Sequence, residues 1–126
     1  MKKTKMLKKN YEFRKVLTKG KYYSGKYIDS FILKNSFDYN LLGLAISVKT
    51  AKAVKRNNIK RLIRENYKNE EETIKNGYSI VFLWKKKADI KDANFSNIKD
   101  DILNIFNKAN LKINKENIWK KYLFVQ

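Results

Sequence analysis

Between residues 55 and 68 the chain gathers Lys55, Arg56, Asn57, Lys60, Arg61, Arg64 and Lys68 at spacings that suit one side of a helix. At about 100° per residue, Asn57, Lys60, Arg61, Arg64 and Lys68 fall in a single arc about 100° wide. A one-sided row of ammonium and guanidinium groups is chemistry for phosphate, because each cation neutralises a backbone anion and releases its counterions. Lys49 and Lys52 carry the charge onto the N-terminal approach, where uncapped helix amides also favour anions. Solvated helices usually interleave Glu with Lys four residues apart. Here the only acid between residues 55 and 68 is Glu65, which can pair with Arg61.

Other chemistry is scarce. The chain has no histidine and no cysteine, so the commonest general base, the thiol nucleophile and thiolate metal sites are absent. Catalysis would have to come from carboxylates, lysine, tyrosine or a partner. Glu70, Glu71 and Glu72, and the pair Asp100 and Asp101, are adjacent carboxylates on expected helices. Neighbours on a helix point in different directions, so these acids are expected to face water rather than share a metal.

The cationic row needs a body to hold it. The 126 residues fit one domain, and 43% hydrophobic content supports one modest core. Thirty Lys and Arg against twelve Asp and Glu leave a formal charge of +18, which a compact protein tolerates best when a polyanion neutralises it. Nucleic acid is therefore the expected partner class. Ile80 to Trp84 is far too short an apolar run to span a bilayer, and no signal-peptide stretch opens the chain, so a cytoplasmic location is expected.

Residues 1 to 9 read as a loose basic arm. Asn10 as N-cap, the spacing of Phe13, Val16 and Leu17, and Gly20 at the end predict a first helix from about Tyr11 to Lys19. Tyr22 and Tyr23 suggest a short strand, and Tyr27 to Lys34 and Leu41 to Val48 suggest longer ones. Alternation places Tyr27, Asp29, Phe31 and Leu33 on one face and Ile28, Ser30 and Ile32 on the other, so both faces should be partly covered. A helix over about Lys55 to Glu72 has Ile59, Leu62, Ile63 and Tyr67 on its apolar side. Asn76-Gly77 marks a turn, Tyr78 to Trp84 a buried strand, and Asn94 or Ser96 the cap of a last helix with a stripe of Ile98, Ile102, Ile105 and Phe106. The order helix, strands, helix, strand, helix (αβββαβα) predicts an α+β two-layer sandwich with helices on a small mixed sheet. Residues from about 110 to 126, with Ile118, Trp119, Tyr122 and Phe124, form an extension of no assigned type.

The stretch from Gly43 to Glu65, Gly-Leu-Ala-Ile-Ser-Val-Lys-Thr-Ala-Lys-Ala-Val-Lys-Arg-Asn-Asn-Ile-Lys-Arg-Leu-Ile-Arg-Glu, resembles the signature of the bacterial ribonuclease P protein family. The family pattern there is a Gly-Leu strand, a basic loop and Arg-Asn-Arg-x-Lys-Arg-x-x-Arg. Leu7 to Gly20 is similar to the family's first helix and its closing glycine. Two positions depart from the pattern. Asn58 replaces the second Arg of the Arg-Asn-Arg trio, and Leu17 stands where an aromatic is common.

The resemblance implies a left-handed β-α-β crossover around the basic helix, against a strong general preference. It also implies partnership with a catalytic RNA subunit and with precursor tRNA, and no DNA or membrane partner. The holoenzyme would remove the 5′ leader by Mg²⁺-dependent hydrolysis, with the metal held mainly by the RNA and no protein catalytic residues. Lys49, Lys52, Lys55, Arg56, Asn57, Lys60, Arg61, Arg64 and Lys68 would contact RNA. Phe13, Leu17 and Phe31, with Asn57 and Lys60, would contact the leader. A ribosomal-type structural RNA-binding protein would share the charge and fold but need no leader cleft, and a membrane-surface protein would need the helix's apolar face free.

Overall fold

A computed structural model describes residues 3–113 of the chain. The elements run β1 (Thr4–Met6), α1 (Asn10–Lys19), β2 (Lys21–Ser24), β3 (Ile28–Lys34), β4 (Asn40–Ala45), α2 (Ala53–Glu70), β5 (Tyr78–Trp84) and α3 (Phe95–Lys108). Single 3₁₀ turns follow α2 at Glu71–Thr73 and precede α3 at Ile90–Asp92. The five strands form one mixed sheet in the order β1-β4-β5-β3-β2. β4 runs parallel to both β1 and β5, while β3 is antiparallel to β2 and β5.

The expected α+β order holds, with one strand more than the pattern showed. Residues 1 to 9 were expected to be loose, yet Thr4, Lys5 and Met6 pair with Asn40, Leu41 and Leu42, and Thr4 and Leu7 are buried. Three residues carry too little alternation to announce a strand, and their partners lie far along the chain. Helix α1 begins at Asn10 itself, and the residue before it, Lys9, takes the cap position. Glu12 Oε1 accepts the Lys9 amide at 3.0 Å. Asn94 caps α3 as expected, its side chain accepting the Asn97 amide at 2.8 Å. The Asn76-Gly77 turn uses a glycine φ of 91°, a left-handed conformation that a side chain would strain.

Both faces of the sheet are covered. On one, Ile28, Ile32, Leu42, Ile80, Phe82 and Trp84 pack against Ile59, Leu62, Ile63 and Tyr67 of α2 and the apolar stripe of α3. On the other, α1 lays Val16 on Val81, flanked by Phe13, Leu17, Phe31 and Leu33. Alternation in β3 and β5 thus feeds two cores from the same strands.

The crossover β4-α2-β5 is left-handed, and the backbone bonds give its hand. The Gly77 carbonyl and the Lys85 amide bond toward β3, whereas the Tyr78 amide bonds to Asn40 at the head of β4. Even-numbered residues of β5 therefore turn their peptide groups toward β4 and their side chains toward α2. For L-residues this places β4 to the right of an upward β5, seen from α2, so the chain crosses from right to left.

Of the acids expected to face water, Glu72 and Asp100 do so, whereas Glu70, Glu71 and Asp101 are drawn into the structure. Asp101 is buried and accepts the amides of Lys26, Tyr27 and Ile28 at 2.9, 2.6 and 2.9 Å, tying α3 to the β2-β3 turn. Glu71 is buried, Glu72 pairs with Lys3 at 3.1 Å, and Glu70 pairs with Lys112. A charged acceptor that satisfies several buried donors is a stable arrangement, which sequence adjacency alone does not reveal. Leu111 is buried and Lys112 bridges to Ile74, so the start of the expected C-terminal extension is packed. Ile118, Trp119, Tyr122 and Phe124 lie outside the described residues.

Candidate nucleic-acid interface

Helix α2 presents its cations as the spacing requires, because its buried residues Ile59, Leu62, Ile63, Asn66 and Tyr67 fix its rotation on the core. Lys55, Asn57, Arg61, Arg64 and Lys68 are exposed, and Arg56 and Lys60 are half-buried. Among the described residues, no carboxylate lies within salt-bridge reach of Lys55, Lys60, Arg64 or Lys68. Arg61 differs, since its guanidinium holds Glu65 at 2.7 Å and Asn58 at 2.8 Å. Asn58 therefore orients an arginine in place of adding a second one. Arg56 turns back to donate to the Ala51 carbonyl at 2.6 Å, bracing the approach.

That approach lacks its own anion. Lys52 occupies the N-cap without a side-chain cap bond, and the first turn of α2 has no acid. Lys49 and Lys52 are exposed there. Cations at a helix N-terminus are unfavourable neighbours for its exposed amides, so the site as a whole favours an incoming anion.

The second surface lies on the α1 side of the sheet. The Phe13 ring rests on Gly43, where an added Cβ would come within 2.6 Å of it. Phe13, Leu17 and Phe31 are all half-buried members of the α1 core, with Leu83 and Ala45 beside them. Asp29, Leu83 and Ala45 stand in register across β3, β5 and β4. This row is the edge where β4 leads through residues 46 to 52 into α2, so the apolar cleft opens beside the basic approach. The structure thus joins Phe13, Leu17 and Phe31 into one patch and the α2 residues into another, which meet at the end of β4.

Two contributions escape a reading of the sequence alone. Tyr22 pairs with Phe31 across β2 and β3, their rings 5.2 Å apart, and is 51% exposed, which adds an aromatic face to the cleft. Lys86 and Lys87 are exposed where β5 ends, at the same sheet edge as the end of β4. Lys85 is held by Asp29 at 3.4 Å and by Ser24 at 2.6 Å. Their relevance depends on β4 and β5 being parallel neighbours, which the lysine run itself does not signal. No group of three or more metal-ligating acids occurs among the described residues, and no described helix is long and apolar enough to cross a membrane.

Fold and surface together define a class of small, basic α+β proteins in which a cationic crossover helix and an aromatic cleft open at one edge of a mixed sheet. The family model described as Ribonuclease P matches residues 1–110, and the chain belongs to the ribonuclease P protein family. It is 43% identical over 111 residues to the ribonuclease P protein component of Clostridioides difficile (strain 630), covering 87% of this chain and 96% of that one. The counterpart from Clostridium botulinum (strain 657 / Type Ba4) is 38% identical over 106 residues, covering 83% and 94%. Among solved structures, the Staphylococcus aureus RNase P protein superposes with a TM-score of 0.75 at 28% identity, covering 86% of this chain and 97% of that one. The Thermotoga maritima RNase P protein gives 0.74 at 27% identity, covering 82% and 96%. The chain is accordingly an accessory subunit of the endoribonuclease of tRNA 5′ maturation, in which the bacterial catalyst is RNA.

Proposed function

We propose that the exposed face of α2 and its approach dock the catalytic RNA, and that the cleft of Phe13, Leu17 and Phe31 holds the single-stranded 5′ leader of precursor tRNA. The observation that carries this reading is the one-sided cation row on α2, with its few acids either paired to Arg61 or used structurally beyond residue 69. Phosphate contacts position the protein without reading sequence. Aromatic faces beside cations suit a single strand, because stacking tolerates any base. Asn57 and Lys60, near the start of α2, would bridge the two surfaces. Mg²⁺ would sit mainly on RNA phosphates and water, supplying an activated nucleophile and stabilising the leaving oxygen.

The test is reconstitution at low Mg²⁺ with the cognate catalytic RNA. The chain is expected to restore cleavage of precursor tRNA at the mature 5′ end. Binding to that RNA without any gain in cleavage would point to a purely structural RNA-binding role.

A further inference from the structure

The flank of α1 turned away from Leu17 borders a second groove of about 670 Å³, within the range of about 300–1,000 Å³ usual for ligand sites. Its floor is the register row Leu33, Ser79 and Leu41, one step along the sheet from Phe31, Val81 and Gly43. Tyr11 and Lys15 form the helix wall, and the turn from Lys34 to Phe37 forms the other. None of Phe13, Leu17 and Phe31 lines it. On the α1 wheel Leu17 lies about 40° from Phe13, whereas Tyr11 and Lys15 lie roughly 160–200° away. The groove and the leader cleft are therefore opposite sides of one helix.

The lining specifies an occupant. Tyr11 is 65% exposed and Phe37 48%, one large ring on each wall. Phe37 is held by Tyr39, the rings 4.9 Å apart and 15° from parallel, and Lys5 Nζ lies 4.5 Å from the centre of Tyr39. Lys15 and Lys34 supply charge, while the one carboxylate, Glu12, is engaged by the Lys9 amide. On the floor the buried Ser79 hydroxyl accepts from Asn35 at 3.2 Å, and its own proton has no acceptor among the described residues. Ring faces, cations and one buried donor match an unpaired nucleotide: a base to stack, phosphates to neutralise and a base edge to accept a hydrogen bond. A second copy of this chain, itself at +18, would be repelled.

We infer that this groove is a second single-strand RNA site, with a base on Tyr11 or Phe37 and phosphate on Lys15 and Lys34. The inference rests on the RNA-binding reading above. It is tested by titrating a short oligoadenylate into the full chain carrying Phe31→Ala, following amide shifts by NMR. Tyr11, Phe37 and Ser79 are expected to shift. Adding Tyr11→Ala should lower the residual affinity about tenfold without moving the melting temperature, since that ring is exposed. Lys15→Gln should make the residual affinity less sensitive to salt. Shifts confined to α2 and the leader cleft would overturn the groove and leave the RNA-binding reading standing. No shift anywhere would overturn both. A dimer dissociated by Tyr11→Ala would also overturn the proposal, because the groove would then belong to protein.

Discussion

Phe31 stands at the centre of the cleft proposed to hold the leader, its ring against Tyr22 and its backbone fixed between β2 and β5. Replacing it with Ala removes a stacking surface without touching the cations of α2. Phe31→Ala is expected to weaken binding of leader-bearing substrate about tenfold more than binding of mature tRNA in the reconstituted holoenzyme. Equal losses, with the fold intact by circular dichroism, would refute the cleft. Tyr67 plays a different part. Burial pushes its hydroxyl above the usual tyrosine range and nearby Glu71 adds to this, while hydrogen bonds with Thr4 and Asn40 pull the other way. The fold thus favours the neutral phenol. Its contribution is fully present below the unfolded value of about 10 and is lost as pH rises toward the folded value. Urea midpoints should consequently fall above about pH 10 more steeply for the wild-type chain than for Tyr67→Phe. The cationic residues were legible individually from their spacing. Asp101 was not, because its partners at 26 to 28 meet it only once α3 docks.

Among the elements, α2 is the one that the sequence showed most fully. Its apolar positions and its cations both recur at helical spacing, so helix, buried side and charged side follow from the same residues. What periodicity could not show was the end of the helix, which stops at Glu70 and passes into a 3₁₀ turn that buries Glu71. Nor could it give the crossover's hand, which depends on how β4 and β5 are ordered in the sheet. The uncapped N-terminus offers a clean trade between stability and binding. Lys52→Asp introduces a capping carboxylate and should raise stability by about 1 kcal/mol in chemical denaturation. The same change should weaken binding to the catalytic RNA and reduce the steepness of its salt dependence by about one phosphate contact. Loss of stability together with unchanged RNA affinity would count against both halves of this account.

For the whole molecule, the charge of +18 is expected to set the scale of binding to RNA. If about four phosphates are neutralised by the α2 face, affinity for the catalytic RNA should fall on the order of a hundredfold between roughly 50 and 200 mM monovalent salt. A flat profile in filter binding would contradict the charge-based reading. Composition alone showed that the partner is expected to be a polyanion, and the α+β order showed most of the scaffold. The meeting of basic approach, aromatic cleft and Lys86–Lys87 at one sheet edge required strand order and register, which are properties of tertiary structure.

β1 precedes every other described strand in the chain, yet everything that holds it comes later. Its strand partner begins at Asn40, and the Thr4 hydroxyl meets Tyr67 across 63 residues of chain. At translation rates of about 5–20 residues per second, Thr4 waits roughly 3 to 12 s before Tyr67 is even polymerised. Because β1 lies at the sheet's outer edge, no inner strand depends on its early arrival. β1 is therefore a closing piece, seated after α2 has been made, and the growing chain carries it unpaired in the meantime.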